Sequence, residues 1–385
     1  MSNDLGFKLL RLESKTPKNV MLSPLSVRYA LSMLADATAG ETHEQIANVL
    51  GGTLLPKYGS LDNVIAFANA FYIRNTFATR IKQSYQDRLI GAYGAEIILD
   101  DFANAINVNG WIEEKTMGQI KNTLSDNAVS DPLNKAMLIN ALAIDMAWRQ
   151  PFEESGTHGQ DFYMSDGSKM AATTMYQKAH GDAVSYYQDD RLTALSMALQ
   201  PYDSTSMEFV AIMPNGNLDD YIQDFSSTEF DDITSKLTPA SACQGDLIIN
   251  VPKFSFDFSV DLVNDLMTLG IDRVFSDVAD FTPMITPASD GQPFGVSNVI
   301  HKAHIDFGEK GVRAAAVTVV MTIDGAAMVE KVVPPIVIDL DRPFMYVIRD
   351  RRNGEIWFVG TMYKPNTWEK DEGVYRDAYR AGLYH

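Results

Sequence analysis

Two short stretches of this chain invite a chemical reading. His43-Glu44 opens like the helix in which two histidines one turn apart ligate zinc and the glutamate acts as base, but Ala47 stands at the second ligand position. The remaining histidines, at 158, 180, 301, 304 and 385, show no ligand spacing, so no metal site is expected. Cys243, the single cysteine, lies in SACQGD with no histidine beside it to raise its thiolate fraction, and reads as a structural thiol. There is no G-x-S-x-G turn to present a serine, no G-x-x-x-x-G-K to wrap phosphates and no G-x-G-x-x-G for a dinucleotide. A metal-dependent or thiol hydrolase therefore has no constellation behind it, and no cofactor is expected. His301, which follows the apolar run 296–300, reads in isolation as a satisfied core histidine.

The most telling stretch is poor in chemistry. Residues 308–322, GEKGVRAAAVTVVMT, begin with glycines and charges, pass through three alanines and end β-branched. The first half suits a loop and the second a strand. A segment fitted both to swing and to join a sheet points to a conformational mechanism.

The elements around it alternate. Residues 24–50 read as two helices: Ser23-Pro24 is a cap and first turn, Gly40 is a break, and Thr42 caps the second helix, which ends at Gly51-Gly52. Residues 63–72 and 80–93 read as a strand and a helix, and 106–124 as an amphipathic helix. The nearly unbroken apolar run 135–148 suits a fully buried central strand. Strand-like runs follow at 192–199, 207–213, 247–258, 335–338, 344–348 and 356–362, with helical pieces at 218–224 and 261–269. No linker and no repeat divides the chain. The reading is one mixed α+β domain.

Composition narrows the partners. The 385 residues are 46% apolar with a net charge of −18, which argues against a phosphate backbone as ligand. The pairs Asp189-Asp190 and Asp231-Asp232 read as solvated surface. One cysteine rules out an internal disulfide framework and fits a reducing compartment without excluding secretion. No run approaches the ~18 apolar residues of a membrane span. The start, MSNDLGFKLLRLESK, lacks a leader's apolar core. Localisation stays open between a cytoplasmic protein and a secreted one with its leader removed.

In order and spacing, six motifs over residues 5–365 together resemble the serpins, the serine protease inhibitor superfamily. They are NVMLSPLS at 19–26, Asn140-Ala141 with Trp148 and Pro151-Phe152, VPKF at 251–254, Leu269-Gly270 with Phe275 and Ala279-Asp280-Phe281, Val296-Ser297 with His301-Lys302-Ala303, and Arg342-Pro343-Phe344 with Val359-Gly360. The likeness is to short, prokaryote-type inhibitory members without a full helix D, since the chain is brief between Gly52 and Asn69.

The resemblance implies a single domain over 1–365, with three β-sheets, a layer of about eight to nine helices and an exposed reactive loop at about 309–335. It implies suicide trapping. A protease cleaves the loop as an acyl-enzyme, and the freed loop inserts as a central strand. On this frame the hinge is Glu309, Gly311, Val312, Ala314, Ala315, Ala316, Val317 and Thr318. Small residues and the absence of proline between 308 and 333 suit insertion. Val312, Ala314, Ala316 and Thr318 would face inward and Arg313 solvent. The family usually has Thr or Ser where Val312 stands and often Glu at Arg313. Ser23, Ser26, Asn140 and His301 match the polar cluster that gates the sheet, which makes His301 a buried gate residue. Trp148 and an exposed Lys253–Glu309 pair match the place where the loop enters.

The reactive bond has two registers. Counting fourteen residues on from Gly311 gives Gly325, with cleavage before Ala326, while counting back from Pro334-Pro335 gives Lys331. The hinge-side count is preferred, because fifteen inserted residues already span roughly 50 Å and slack would weaken the pull. The window around Gly325, Ala326 and Met328 is small and apolar, which suits an elastase-like or subtilisin-like serine protease; a papain-like cysteine protease is a further target. Lys331 would favour trypsin-like enzymes. Heparin activation, nucleic acid and membrane binding are not expected, and a monomer is. Residues 366–385 form a C-terminal extension with Val374, Tyr375, Ala378, Tyr379 and Leu383 at helical spacing, either a surface-packed helix or a docking site. The rival is a non-inhibitory serpin with a chaperone, carrier or storage role; the proline-free hinge disfavours it.

Overall fold

The computed structural model describes residues 4–52, 55, 58, 60–202, 205–286, 294, 296, 298–313 and 333–369. Helix α1 (Asp4–Glu13) buries Leu5, Phe7, Leu9 and Leu10 and leads through β1 (Val20–Leu22) into α2 (Pro24–Asp36). Ser23 caps α2 by accepting the Ser26 N–H, and Pro24 fills the first turn, where no N–H partner is needed. Helix α3 (Gly40–Leu50) ends at Gly51, whose φ of 69° makes the left-handed turn that closes helices. Thr42 is not its cap: the helix starts at Gly40, and the Thr42 hydroxyl accepts from the Asp280 N–H at 3.1 Å. Among the described residues no helix lies between Gly51 and β2 (Ile65–Arg74).

The chain continues through α4 (Gln83–Tyr93), β3 (Glu96–Asp100), α5 (Ile106–Lys115), α6 (Asp126–Ser130), β4 (Ala136–Ile144) and β5 (Met146–Ala147). Next come β6 (His158–Tyr163), β7 (Lys169–Ala179), β8 (Val184–Gln188), β9 (Leu192–Ala198), β10 (Met207–Pro214), α7 (Leu218–Asp224) and α8 (Ser227–Ser235). Then follow β11 (Thr238–Pro239), β12 (Leu247–Pro252), β13 (Phe254–Asp261), α9 (Val263–Thr268) and β14 (Ile300–Gly308). The last are β15 (Gly311–Val312), β16 (Ile336–Asp339), β17 (Phe344–Asp350) and β18 (Ile356–Met362).

The architecture is the expected α+β mixture of three sheets and a helical layer, with nine α-helices among the described residues. A seven-stranded sheet, β1-β18-β17-β10-β9-β8-β11, is covered on both faces, and every residue of β10 and β18 is buried. A four-stranded sheet runs β16-β12-β7-β6. The central sheet is in two halves, β3-β2-β4 and β13-β14-β15-β5. Only Asp145 separates β4 from β5, so one strand belongs to both halves.

Three further readings change. The run 135–148 is not fully buried: Ala136 to Asn140 are half-buried, because no described strand covers that edge of β4. The run 247–258 is two strands in two sheets, broken at Lys253. The helix in 106–124 stops at Lys115, where Met117 (φ 55°) and Gly118 (φ 69°) turn left-handed. The main core lies between the central and seven-stranded sheets, with Phe254 stacked on Phe307 at 4.5 Å and Phe209 at 4.7 Å from Phe307. A smaller core of Tyr72, Val108, Trp111 and Ile112 holds α5 on the other face of β2 and β4.

Candidate functional site

At the top of the central sheet β15 lies between β14 and β5. Gly311 and Val312 pair with Gly308 and Phe307 on one side and with Ala147 and Met146 on the other. Val312 is 2% exposed, facing inward as its strand position predicts. Arg313 departs from expectation. Its φ of 41° takes the chain out of strand geometry, and its guanidinium donates to the Met117 carbonyl at 3.4 Å, leaving it half-buried instead of solvent-facing.

Aromatic packing and charge fix the residues just before β15. The Trp148 indole N–H donates to the Gly308 carbonyl (2.8 Å), and its backbone N–H to the Lys310 carbonyl (2.9 Å). The Trp148 ring packs edge-on against Phe307 at 5.1 Å, which anchors it in the core. Glu309 binds the Lys253 ammonium at 2.7 Å and accepts the Thr157 hydroxyl at 2.8 Å. The pair is not the exposed one the sequence suggested, since the Glu309 side chain is only 12% exposed. Burial pushes the Glu309 carboxyl up, but Lys253, Thr157 and its own backbone N–H outweigh it and hold the group below the usual carboxylate range. Removing one partner of such a shielded pair strands the other charge.

Lower down, among the described residues no ladder joins β4 to β14. A cavity of about 210 Å³ lies between them, lined by Leu138, Asn140 and Leu142 from one wall and Ile300, His301 and Lys302 from the other. The first turn of α2 holds both walls. The Ser23 N–H donates to His301 Nε2 (3.1 Å), and the Ser26 hydroxyl donates to Asn140 Oδ1. Asn140 Nδ2 donates to Asn69 Oδ1 (2.8 Å), and Asn69 Nδ2 to the Tyr93 carbonyl (2.8 Å). Nε2 accepts, so the His301 ring is neutral. Burial lowers its pKa to about 4, with a backbone hydrogen bond at Met21 acting the other way.

Thus Ser23, Ser26, Asn140 and His301 come together, as do Trp148, Lys253 and Glu309, at two ends of one slot. Ala314, Ala315, Ala316, Val317, Thr318, Gly325, Ala326, Met328 and Lys331 lie outside the described residues, as do residues 370–385. Beyond the loop, β16 pairs parallel to β12 from Leu247↔Ile336 to Asn250↔Asp339. Sequence reasoning missed Thr157, Asn69 and Met117. Each meets its partner across a long stretch of chain, and none stands in a motif. His43 ties α3 to α2 through Nδ1, 2.8 Å from the Ala35 carbonyl, and shares in no metal cluster among the described residues.

Comparison with known proteins points one way. A family model described as "Serpin (serine protease inhibitor)" matches residues 1–365. The chain is 28% identical over 373 residues to Serpin-ZXA of Oryza sativa subsp. japonica, covering 90% of each chain. It is similar to the thermophilic serpin Tengpin in the native state, with a TM-score of 0.78 and 25% identity over 94% of this chain and 93% of that one. It also shares the fold of human thyroxine-binding globulin, with a TM-score of 0.77 and 24% identity over 95% and 97% of the two chains.

Proposed function

Since this chain belongs to the serpin family, whose members inhibit proteases in general, we propose that it traps a serine protease by cleavage and insertion of the 309–335 loop. One observation carries the reading. The loop's first residues, Gly311 and Val312, are already a strand between β14 and β5, at the head of a slot whose lower walls have no partner strand among the described residues. Each further residue that follows Val312 into the slot gains ladder bonds on both sides, so insertion is downhill once the loop's far end is released.

The reactive bond is Gly325–Ala326. The protease's serine attacks the Gly325 carbonyl, the amide breaks, and the new amine at Ala326 leaves with a proton. The chain up to Gly325 stays esterified to the enzyme. Ala314, Ala316 and Thr318 follow Val312 into the slot, and the covalently held protease is carried with them. A small residue at the cut suits elastase-like or subtilisin-like pockets better than trypsin-like ones. The charge of −18 and the absence, among the described residues, of a helix between α3 and β2 support inhibition without heparin.

Incubation with an elastase, a subtilisin and a trypsin, followed by denaturing gels and sequencing of the released peptide, tests this. The expected result is an SDS-stable complex with the first two and a new N-terminus at Ala326. Complete turnover with no complex for any of the three would sink the inhibitory reading, and a new N-terminus after Lys331 would move the bond.

A further inference from the structure

The family match ends at residue 365, but the described chain runs on, and its next three residues are tied down. Thr173 donates its N–H to the Asn366 carbonyl (2.9 Å) and its hydroxyl to the Thr367 carbonyl (3.1 Å). The Trp368 N–H donates to the Ala171 carbonyl (2.9 Å), and Thr367 bridges Ala172 antiparallel. β12 pairs with β7 only as far as Pro252↔Thr174 before the chain turns into β13. The tail takes over the edge of β7 that β12 leaves, and so satisfies backbone groups that would otherwise be open.

The seat is shaped for this tail. A Cβ on Gly159 in β6 would fall 2.5 Å from Trp368 Cδ1 and 2.7 Å from Cγ, so the strand carries a glycine where the indole lies against its backbone. The tail also reaches the root of the reactive loop. The Asn366 N–H donates to the Lys253 carbonyl (2.9 Å), and Asn366 Oδ1 accepts the Ser255 N–H (3.2 Å). Lys253 donates its own N–H to the Thr173 carbonyl (2.8 Å). Its backbone is thus held by β7 on one side and the tail on the other, while its ammonium holds Glu309 at 2.7 Å.

We propose that residues 366–368 are a brace that positions Lys253 for Glu309 and so slows movement of the uncleaved loop into the slot. The proposal rests on the loop-insertion reading. Asn366 and Trp368 act through Lys253, so loosening them matters only while the Lys253–Glu309 pair exists.

The test uses the full chain and the variants Trp368→Ala and Gly159→Ala, each with and without Glu309→Gln. Each is held without protease below its melting temperature, and native gels and melting curves follow the appearance of a heat-resistant form. In the parent background both tail variants convert about tenfold faster, but with Glu309→Gln the factor falls below about twofold. Trp368→Ala and Gly159→Ala together convert no faster than either alone, because they break one contact. Parent-like rates in both variants, the same factor in both backgrounds, or no conversion in any of them overturns the brace. Failure of the insertion reading shows separately, as a loop-cleaved parent that gains no heat resistance.

Discussion

Glu309 and His301 hold opposite ends of the slot by opposite electrostatic means. Glu309 is kept charged, its pKa held below the usual carboxylate range, so its contribution is present at neutral pH and lost as pH falls through that depressed value. His301 is kept neutral, with a pKa of about 4 against 6.5 for an exposed ring. Between those two values the unfolded chain takes up a proton that the folded chain refuses, so stability falls as pH drops from 6.5 to about 4, by roughly 3 kcal/mol in all. Asp265, raised to about 6 by burial and the neighbouring Glu13, works with the other sign in the same window. The test is therefore a difference. Denaturant melts of wild type and His301→Gln across that range should converge on acidification, because glutamine accepts the Ser23 N–H and does not titrate. Parallel curves would show that the buried histidine is not the cause.

At the level of elements, the strand that matters is two residues long. Val312 is buried between β14 and β5, and an arginine there would place an unpaired charge in the core, at a cost of several kcal/mol. Val312→Arg should expel β15 and turn most encounters with a target protease into plain turnover, seen as loss of the SDS-stable complex with cleavage intact. Ala314→Pro removes a ladder donor one step further along and should do the same, as should Ala316→Glu by burying a carboxylate. Any of these variants that still forms the complex would contradict insertion through this register. The inward place of Val312 was legible because strand alternation is a local property. The clustering of Ser23, Ser26, Asn140 and His301 was legible through the resemblance of the motifs around them. The split of the central sheet was not, since an apolar run such as 135–148 announces burial but not which edge goes unpaired. Nor was the break at Lys253, where β12 and β13 read as one run because both are strand-like and the turn between them is set by the sheets they join. Thr157 meets Glu309 only through the fold, and no spacing could have found it.

At the scale of the whole molecule, the covered seven-stranded sheet supplies a rigid body, and the central sheet keeps a slot with one strand just begun. On the proposed insertion, the ladder positions unfilled among the described strands put this fold above a better-bonded arrangement of the same chain, separated from it by the contacts at α2 and the root held by Trp148, Lys253 and Glu309. Thermal unfolding before and after a single cut in the loop tests this most directly. The account predicts that cleavage of the loop by a catalytic amount of a thermolysin-type zinc protease, which forms no acyl-enzyme to be trapped, raises the melting temperature by tens of degrees, far beyond the few degrees that ~1 kcal/mol would give a chain of this size. A cleaved protein that melts where the intact one does would contradict it.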